Sequence, residues 1–229
     1  MDISVNTSSN QQEAHLSEVY PTLPFKPIAG RGLYLETAGG RHILDLYGGH
    51  AVATLGYGHP RLSSAIAEQA EQLFFQSNAV RLDIRDEAAN SLVAFAPEPL
   101  SRVFFVNSGA EANENALRIA LKSTGRKKII AVEHSFHGRT AGAAAVTWGA
   151  KESWYGFPYD PFEVAFVPRN DINALNTMVD QDSAALIIEP IQGVAGAFNF
   201  EPGFLDAART ACDNSGALLI LDEVQTGVG

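Results

Sequence analysis

From Pro60 onward the chain alternates between stretches whose apolar residues recur three or four apart and short runs that are apolar throughout. The first pattern predicts amphipathic helices, and the second predicts strands buried on both faces. Helices fit over 60–75, 85–96, 109–123, 171–179 and 203–214, and strands over 102–106, 128–132, 164–167, 184–188 and 217–221. In 109–123 the apolar stripe is read at Ala112, Ala116, Ile119 and Ala120. Short strands separated by helix-length segments imply βαβ units, a mostly parallel sheet with flanking helices, and hence an α/β fold. Upstream, Leu33-Tyr34-Leu35 and His42 to Leu46 alternate as hairpin strands joined through Gly39-Gly40. Residues 13–20 fit a short helix, which the Pro21, Pro24 and Pro27 cluster ends in favour of extended chain. The Asn-, Ser- and Gln-rich residues 1–12 read as a disordered tail. The organisation expected is therefore a tail over 1–12, an N-terminal segment with a short hairpin over 13–58, and a large α/β domain over 59–229.

Composition narrows the class. A hydrophobic fraction of 46% with 18% charged residues is that of a globular protein. A formal net charge of -10 argues against a nucleic-acid partner, which needs a basic face. The single cysteine, Cys212, excludes a disulfide framework and suits a reducing compartment. No apolar stretch approaches membrane-spanning length, and the polar start from Met1 to Gln12 lacks a secretory pattern, so the expectation is a cytoplasmic protein with no membrane partner.

The chemistry concentrates where strands are expected to end. After the strand at 102–106 comes Asn107-Ser108-Gly109-Ala110 and then a helix. Small residues there expose backbone N–H groups at a helix N-terminus, an arrangement that binds phosphate; the competing reading is a plain Ser or Asn helix cap. After 128–132 comes His134-Ser135-Phe136-His137-Gly138-Arg139. Phe136 and His137 offer flat faces to an aromatic cofactor, and the fork of Arg139 suits a carboxylate. His134 and His137 have metal-ligand spacing but no visible third ligand, so no metal is expected. After 184–188 and 217–221 come Glu189 and Asp222-Glu223. Adjacent acids on extended chain point to opposite sides, so one of the pair faces the site. An aspartate kept ionised there suits a protonated pyridine nitrogen, which makes that ring an electron sink.

Four segments in order, Asn107 to Glu114, Phe136-His137-Gly138-Arg139-Thr140, Glu189-Pro190-Ile191-Gln192-Gly193 and Leu221 to Gly227, resemble the class III aminotransferases. The resemblance runs from about Tyr20 to Gly229 and is nearest to acetylornithine and ornithine aminotransferases. It implies the fold-type I scaffold of pyridoxal-phosphate enzymes, cut before the last strands and the C-terminal domain. It implies transfer of an amino group from a small-molecule donor such as acetylornithine or ornithine to a 2-oxo acid, by a homodimer. Within it, Ser108, Gly109 and Ala110 would hold the cofactor phosphate. Phe136 would stack on the pyridine ring with His137 beside it, Val224 would pack on the opposite face, and Glu189 would order the site. Asp222 would pair with the pyridine nitrogen and Gln225 with the ring hydroxyl. Arg139 and Tyr20 would take a substrate carboxylate. No catalytic lysine is visible: none of Lys26, Lys122, Lys127, Lys128 or Lys151 stands in a matching motif, so the Schiff-base lysine is expected beyond Gly229 and residues 1–229 alone are expected to be inactive. Val194 also stands where ornithine-type members commonly carry Glu, which leaves the amino acceptor and exact substrate open. A second reading keeps the fold and changes the reaction to another class III activity, such as a β-alanine or GABA-type transaminase, an aminomutase, a racemase or a decarboxylase. A non-catalytic fragment or pseudo-enzyme is the remaining alternative.

Overall fold

The computed structural model describes His15, Ser17 and residues 22–228. The tail over 1–12, Tyr20 and, apart from His15 and Ser17, the helix over 13–20 lie outside them. The chain divides into two compact units, Met1–Leu46 with Leu55–Ala65, and Tyr47–Thr54 with Ile66–Gly229.

The first unit carries an antiparallel sheet of β1 (Pro27–Arg31), β2 (Tyr34–Thr37) and β3 (His42–Leu44). The expected hairpin is its second half, with Leu35 opposite Ile43. The turn is set by Gly40, whose φ of 74° suits glycine and whose N–H donates to the Thr37 carbonyl at 2.9 Å. β1 was not foreseen. Its proline stands at the first position, where the missing N–H breaks no interior ladder bond.

In the second unit a left-handed turn, α1 (Gly48–Ala51), precedes α2 (Pro60–Leu73), which starts in the first set of residues, and α3 (Asp83–Phe95). The α/β elements follow in chain order: α4 (Gly109–Thr124), β4 (Lys128–Val132), α5 (Ala141–Ala145), α6 (Ala150–Ser153), β5 (Glu163–Val167), α7 (Ile172–Met178), β6 (Ser183–Ile188), the small hairpin β7 (Ile191–Gln192) and β8 (Phe198–Asn199), α8 (Phe204–Ser215) and β9 (Leu218–Leu221). The four long strands form a parallel sheet in the order β5-β4-β6-β9.

Period-two alternation sorts this sheet's residues between two cores. Ile130, Val132, Leu186 and Ile188 meet Leu175 of α7 and Phe204, Ala208 and Cys212 of α8. Ile129, Ala131, Ala185 and Ile187 meet Leu117 and Ala120 of α4 on the other face. Each buried Leu, Ile or Phe contributes about 1.5–3 kcal/mol, so these two layers outweigh the surface ion pairs by a wide margin. Arg126 fastens their lower edge: its guanidinium donates to the Ser183 carbonyl at 2.8 Å and to the Ser215 carbonyl at 3.0 Å. Burial beside Phe204 and Leu186 pushes the Cys212 thiol up to about 11, so it behaves as a small apolar core residue.

Two expectations need correction. The segment 102–106 pairs with no strand among the described residues, and Phe104 and Phe105 are exposed. An apolar run proposes a strand, but only a neighbouring strand that accepts its ladder makes one. On α4, Ala112 and Ile119 face solvent, and the buried positions are Asn113, Leu117 and Ala120. An amide occupies the core face there because its hydrogen bonds are satisfied inside the protein.

Candidate active site

The C-terminal ends of β4, β6 and β9 and the N-terminus of α4 surround one cleft of about 480 Å³. In an open α/β sheet that is the edge where ligands bind. The cleft is lined by Ser108, Gly109 and Ala110 from the start of α4, by Phe136, His137 and Arg139 after β4, by Glu189 after β6, and by Asp222, Val224 and Gln225 after β9. All the predicted cofactor residues and Arg139 therefore share one cavity. The motif at 107–110 does so without a strand in front of it.

Asp222 lies at the centre and is 7% exposed. Its Oδ2 accepts from the Asn113 amide at 2.8 Å and meets His137 Nδ1 at 2.7 Å, while Oδ1 accepts the Val224 N–H at 3.2 Å. These three contacts fix both carboxylate oxygens in place. Glu223 points the other way, is exposed and accepts from the Thr226 hydroxyl. His137 Nε2 is buried without a partner among the described residues, and the His134 ring packs at 5.7 Å from Trp148, so the two histidines serve different surroundings.

Ser108 caps α4 by accepting the Glu111 N–H at 3.1 Å, and Glu111 turns back to accept from the Asn107 N–H at 2.7 Å. This is a capping-box arrangement, displaced by one residue. Capping leaves the helix dipole directed at the cleft, so the cap and phosphate readings of this turn are compatible.

Sequence reasoning assigned no role to several residues that build the site. Asn113 holds both Asp222 and the His137 carbonyl, the latter at 2.8 Å. Thr147 accepts the His137 N–H at 2.9 Å and donates to the Gly138 carbonyl at 3.2 Å. Gly138 has φ 129° and lies against Ala110, and Gly193 lies against Gln225. Ile191 completes the wall, together with Val194, which the sequence had already marked as standing at a glutamate position of the family. Asn113 was visible as a polar residue on a helix face otherwise read as apolar. Nothing in the sequence marks Thr147.

Glu189 Oε1 accepts the Phe136 N–H at 2.9 Å, which ties β6 to the aromatic segment. Burial pushes its carboxyl up from the ordinary range, and the Phe136 N–H offsets part of that rise. The folded protein thus keeps a proton that the unfolded chain releases. Stability falls as the pH rises past the unfolded carboxylate value, and the cost is complete above the raised folded one. Glu189→Gln keeps an oxygen for Phe136 and is expected to raise the melting temperature at neutral pH. The gain should vanish at pH values below the unfolded carboxylate range, and a gain independent of pH would contradict this account.

Residues 17–229 match the family model for class-III aminotransferases, and the chain belongs to that family. An acetylornithine aminotransferase of Methanopyrus kandleri is 42% identical over 92% of this chain and 54% of its own length. A LysW-aminoadipate semialdehyde/glutamate semialdehyde transaminase of Sulfurisphaera tokodaii is 41% identical over 88% of this chain and 52% of its own. The ornithine aminotransferase of Toxoplasma gondii superposes with a TM-score of 0.86 at 29% identity, covering 93% of this chain and 52% of that one. Another crystal of that enzyme carries pyridoxal phosphate at partial occupancy in its active site. The chain spans about half the length of the curated relatives it matches.

Proposed function

We propose that the protein carrying this chain is a pyridoxal-phosphate aminotransferase. It moves an amino group from a carboxylate-bearing donor of the acetylornithine or ornithine class to a 2-oxo acid. The observation that carries this reading is the buried Asp222 carboxylate, held by three donors at the floor of a cleft whose rim is a helix N-terminus. A pyridine ring that bears a phosphate and needs a proton on its nitrogen fits that donor set.

Pyridoxal phosphate, when bound, supplies a ring that withdraws electrons from the carbon bearing the amino group. In this reading Asp222 faces the ring nitrogen and keeps the proton on it, and His137 and Asn113 keep Asp222 aimed. Ser108, Gly109 and Ala110 hold the phosphate. Phe136 and Val224 enclose the ring, Gln225 bonds its hydroxyl, and Glu189 fixes Phe136 through its backbone. Arg139, with Tyr20, receives the substrate carboxylate through its two-pronged guanidinium. The lysine that holds the cofactor covalently is assigned to the protein beyond Gly229, and residues 1–229 alone to an inactive state. We infer also a cytoplasmic homodimer, in which 59–229 make up the cofactor domain and 13–58 the segment before it.

Val194 favours a second reading of the substrate. It lines the cleft where an ornithine-type glutamate is expected, so a β-alanine or GABA-type donor is the competing choice. The test is glutamate formation from 2-oxoglutarate by the full-length gene product with each donor. The expected result is a kcat/KM at least about tenfold higher for acetylornithine or ornithine. A preference for β-alanine or GABA would overturn the substrate class, and no transfer from any donor would overturn the activity.

A further inference from the structure

We infer that Glu114 is a positioning residue that sets the aim of Arg139, and so the selectivity of the site for donors bearing a carboxylate. The inference rests on the reading of Arg139 as the carboxylate-binding residue. Glu114 lies within α4, one turn past the helix start, and is half-buried. A single oxygen, Oε2, accepts the Thr140 hydroxyl at 2.5 Å, the Gly142 N–H at 2.9 Å and the Ala143 N–H at 3.1 Å. These donors are the residue after Arg139 and the first turn of α5. Thr140 stands at the N-cap of α5 but makes no cap bond with its own side chain. The carboxylate of a different helix does that work.

The other side of the segment is also tied. Thr147 holds the Gly138 carbonyl at 3.2 Å, and the Tyr155 hydroxyl donates to the Ala141 carbonyl at 3.2 Å. Arg139 therefore leaves the backbone between two anchored residues, Gly138 and Thr140. A bidentate carboxylate contact depends on the plane and direction of the guanidinium, and these follow from that backbone anchor. A helix cap alone explains the bonds to Gly142 and Ala143. The bond to Thr140, adjacent to Arg139, extends the same carboxylate to the residue that fixes the arginine.

The test uses full-length holoenzyme and two matched donors. N-acetylornithine and N-acetylputrescine share the reacting amine and chain and differ by the α-carboxylate. Glu114→Ala is expected to lower the ratio of their kcat/KM values about ten- to a hundredfold, the scale of a misplacement near 1 Å, with the loss on the acid donor. Arg139→Ala should collapse the same ratio, and the double variant should show no further drop, because both changes remove one interaction. Glu114→Gln retains an acceptor oxygen and should restore most of the ratio; if the alanine variant does not fold, Thr140→Val, which removes only the hydroxyl donated to Glu114 and leaves the bonds to Gly142 and Ala143, should lower the ratio in its place. A purely structural role predicts that both donors slow together and the ratio holds. If Arg139→Ala collapses the ratio and neither Glu114 variant moves it, the inference is wrong and the role of Arg139 stands. If Arg139→Ala leaves the ratio intact, the carboxylate reading fails and this inference falls with it.

Discussion

Asp222→Asn in the full-length enzyme is expected to lower kcat by a factor on the order of 10²–10⁴, equivalent to about 3–5 kcal/mol for removing one partner of a buried charge pair. The substitution keeps the shape of the side chain, so the sheet around Ile188 and Leu221 should be undisturbed. Chemically it changes two things. The side chain can no longer stabilise a proton on a pyridine nitrogen by charge. Its new amide also faces His137 Nδ1 and the Asn113 amide, both of which now lie within 2.7–2.8 Å of the carboxylate. At least one donor then loses its acceptor in a buried place, which adds a desolvation cost of about 1–3 kcal/mol. The loss should fall equally on every amino donor, because the ring nitrogen is remote from what distinguishes substrates. Single-turnover kinetics with two donors and a cofactor titration measure this. A rate within tenfold of the parent enzyme would remove Asp222 from the role assigned to it.

The parts of the fold set by local pattern were legible. The runs at Ile129–Val132, Ala184–Ile188 and Ala217–Leu221 announced parallel strands, because strands covered on both faces need no polar alternation. The acids that follow two of them pointed to the ligand edge. Pairing was not legible: the run at Val103–Val106 has the same composition and no partner strand among the described residues. The short helices α5 and α6 passed unnoticed, since a segment of four or five residues carries no period to read. Within the site, residue types were readable and their connections were not. The bond from Asn113 to Asp222 spans 109 residues and that from Glu189 to Phe136 spans 53, distances at which a sequence without its fold says nothing of contact. The misplaced stripe on α4 has the same origin. A periodicity rule expects carbon at position 113, whereas the fold supplies two acceptors there and so admits an amide.

Gly138→Ala is the second substitution with a large expected effect, here on stability and cofactor retention together. At φ 129° an L-residue is strained by about 1–3 kcal/mol. The added methyl would also lie 2.6 Å from the Ala110 Cβ, 2.9 Å from the Ala110 Cα and 3.1 Å from the Ala143 Cβ. All three of those atoms are fixed to backbone, so relief requires moving the first turns of α4 and α5, at an overpacking cost of about 1–3 kcal/mol. Gly149→Ala separates the two terms. Gly149 has φ 72° and open space where its Cβ would go, so it registers strain alone. Gly193→Ala gives the complementary case. Its Cβ would meet the Gln225 amide oxygen at 1.7 Å, the far end of a flexible side chain that can swing away, so stability should change little while the contact assigned to the ring hydroxyl is lost. Thermal unfolding of the three apo variants should therefore rank Gly138→Ala well below Gly149→Ala, with Gly193→Ala nearest the parent. Cofactor titration should instead place Gly138→Ala and Gly193→Ala together as weakened and leave Gly149→Ala near the parent. If Gly138→Ala melts no lower than Gly149→Ala, the turn at Ala110 yields to the methyl, and close approach at Gly138 is not what holds the start of α4 against the segment at Phe136–Arg139.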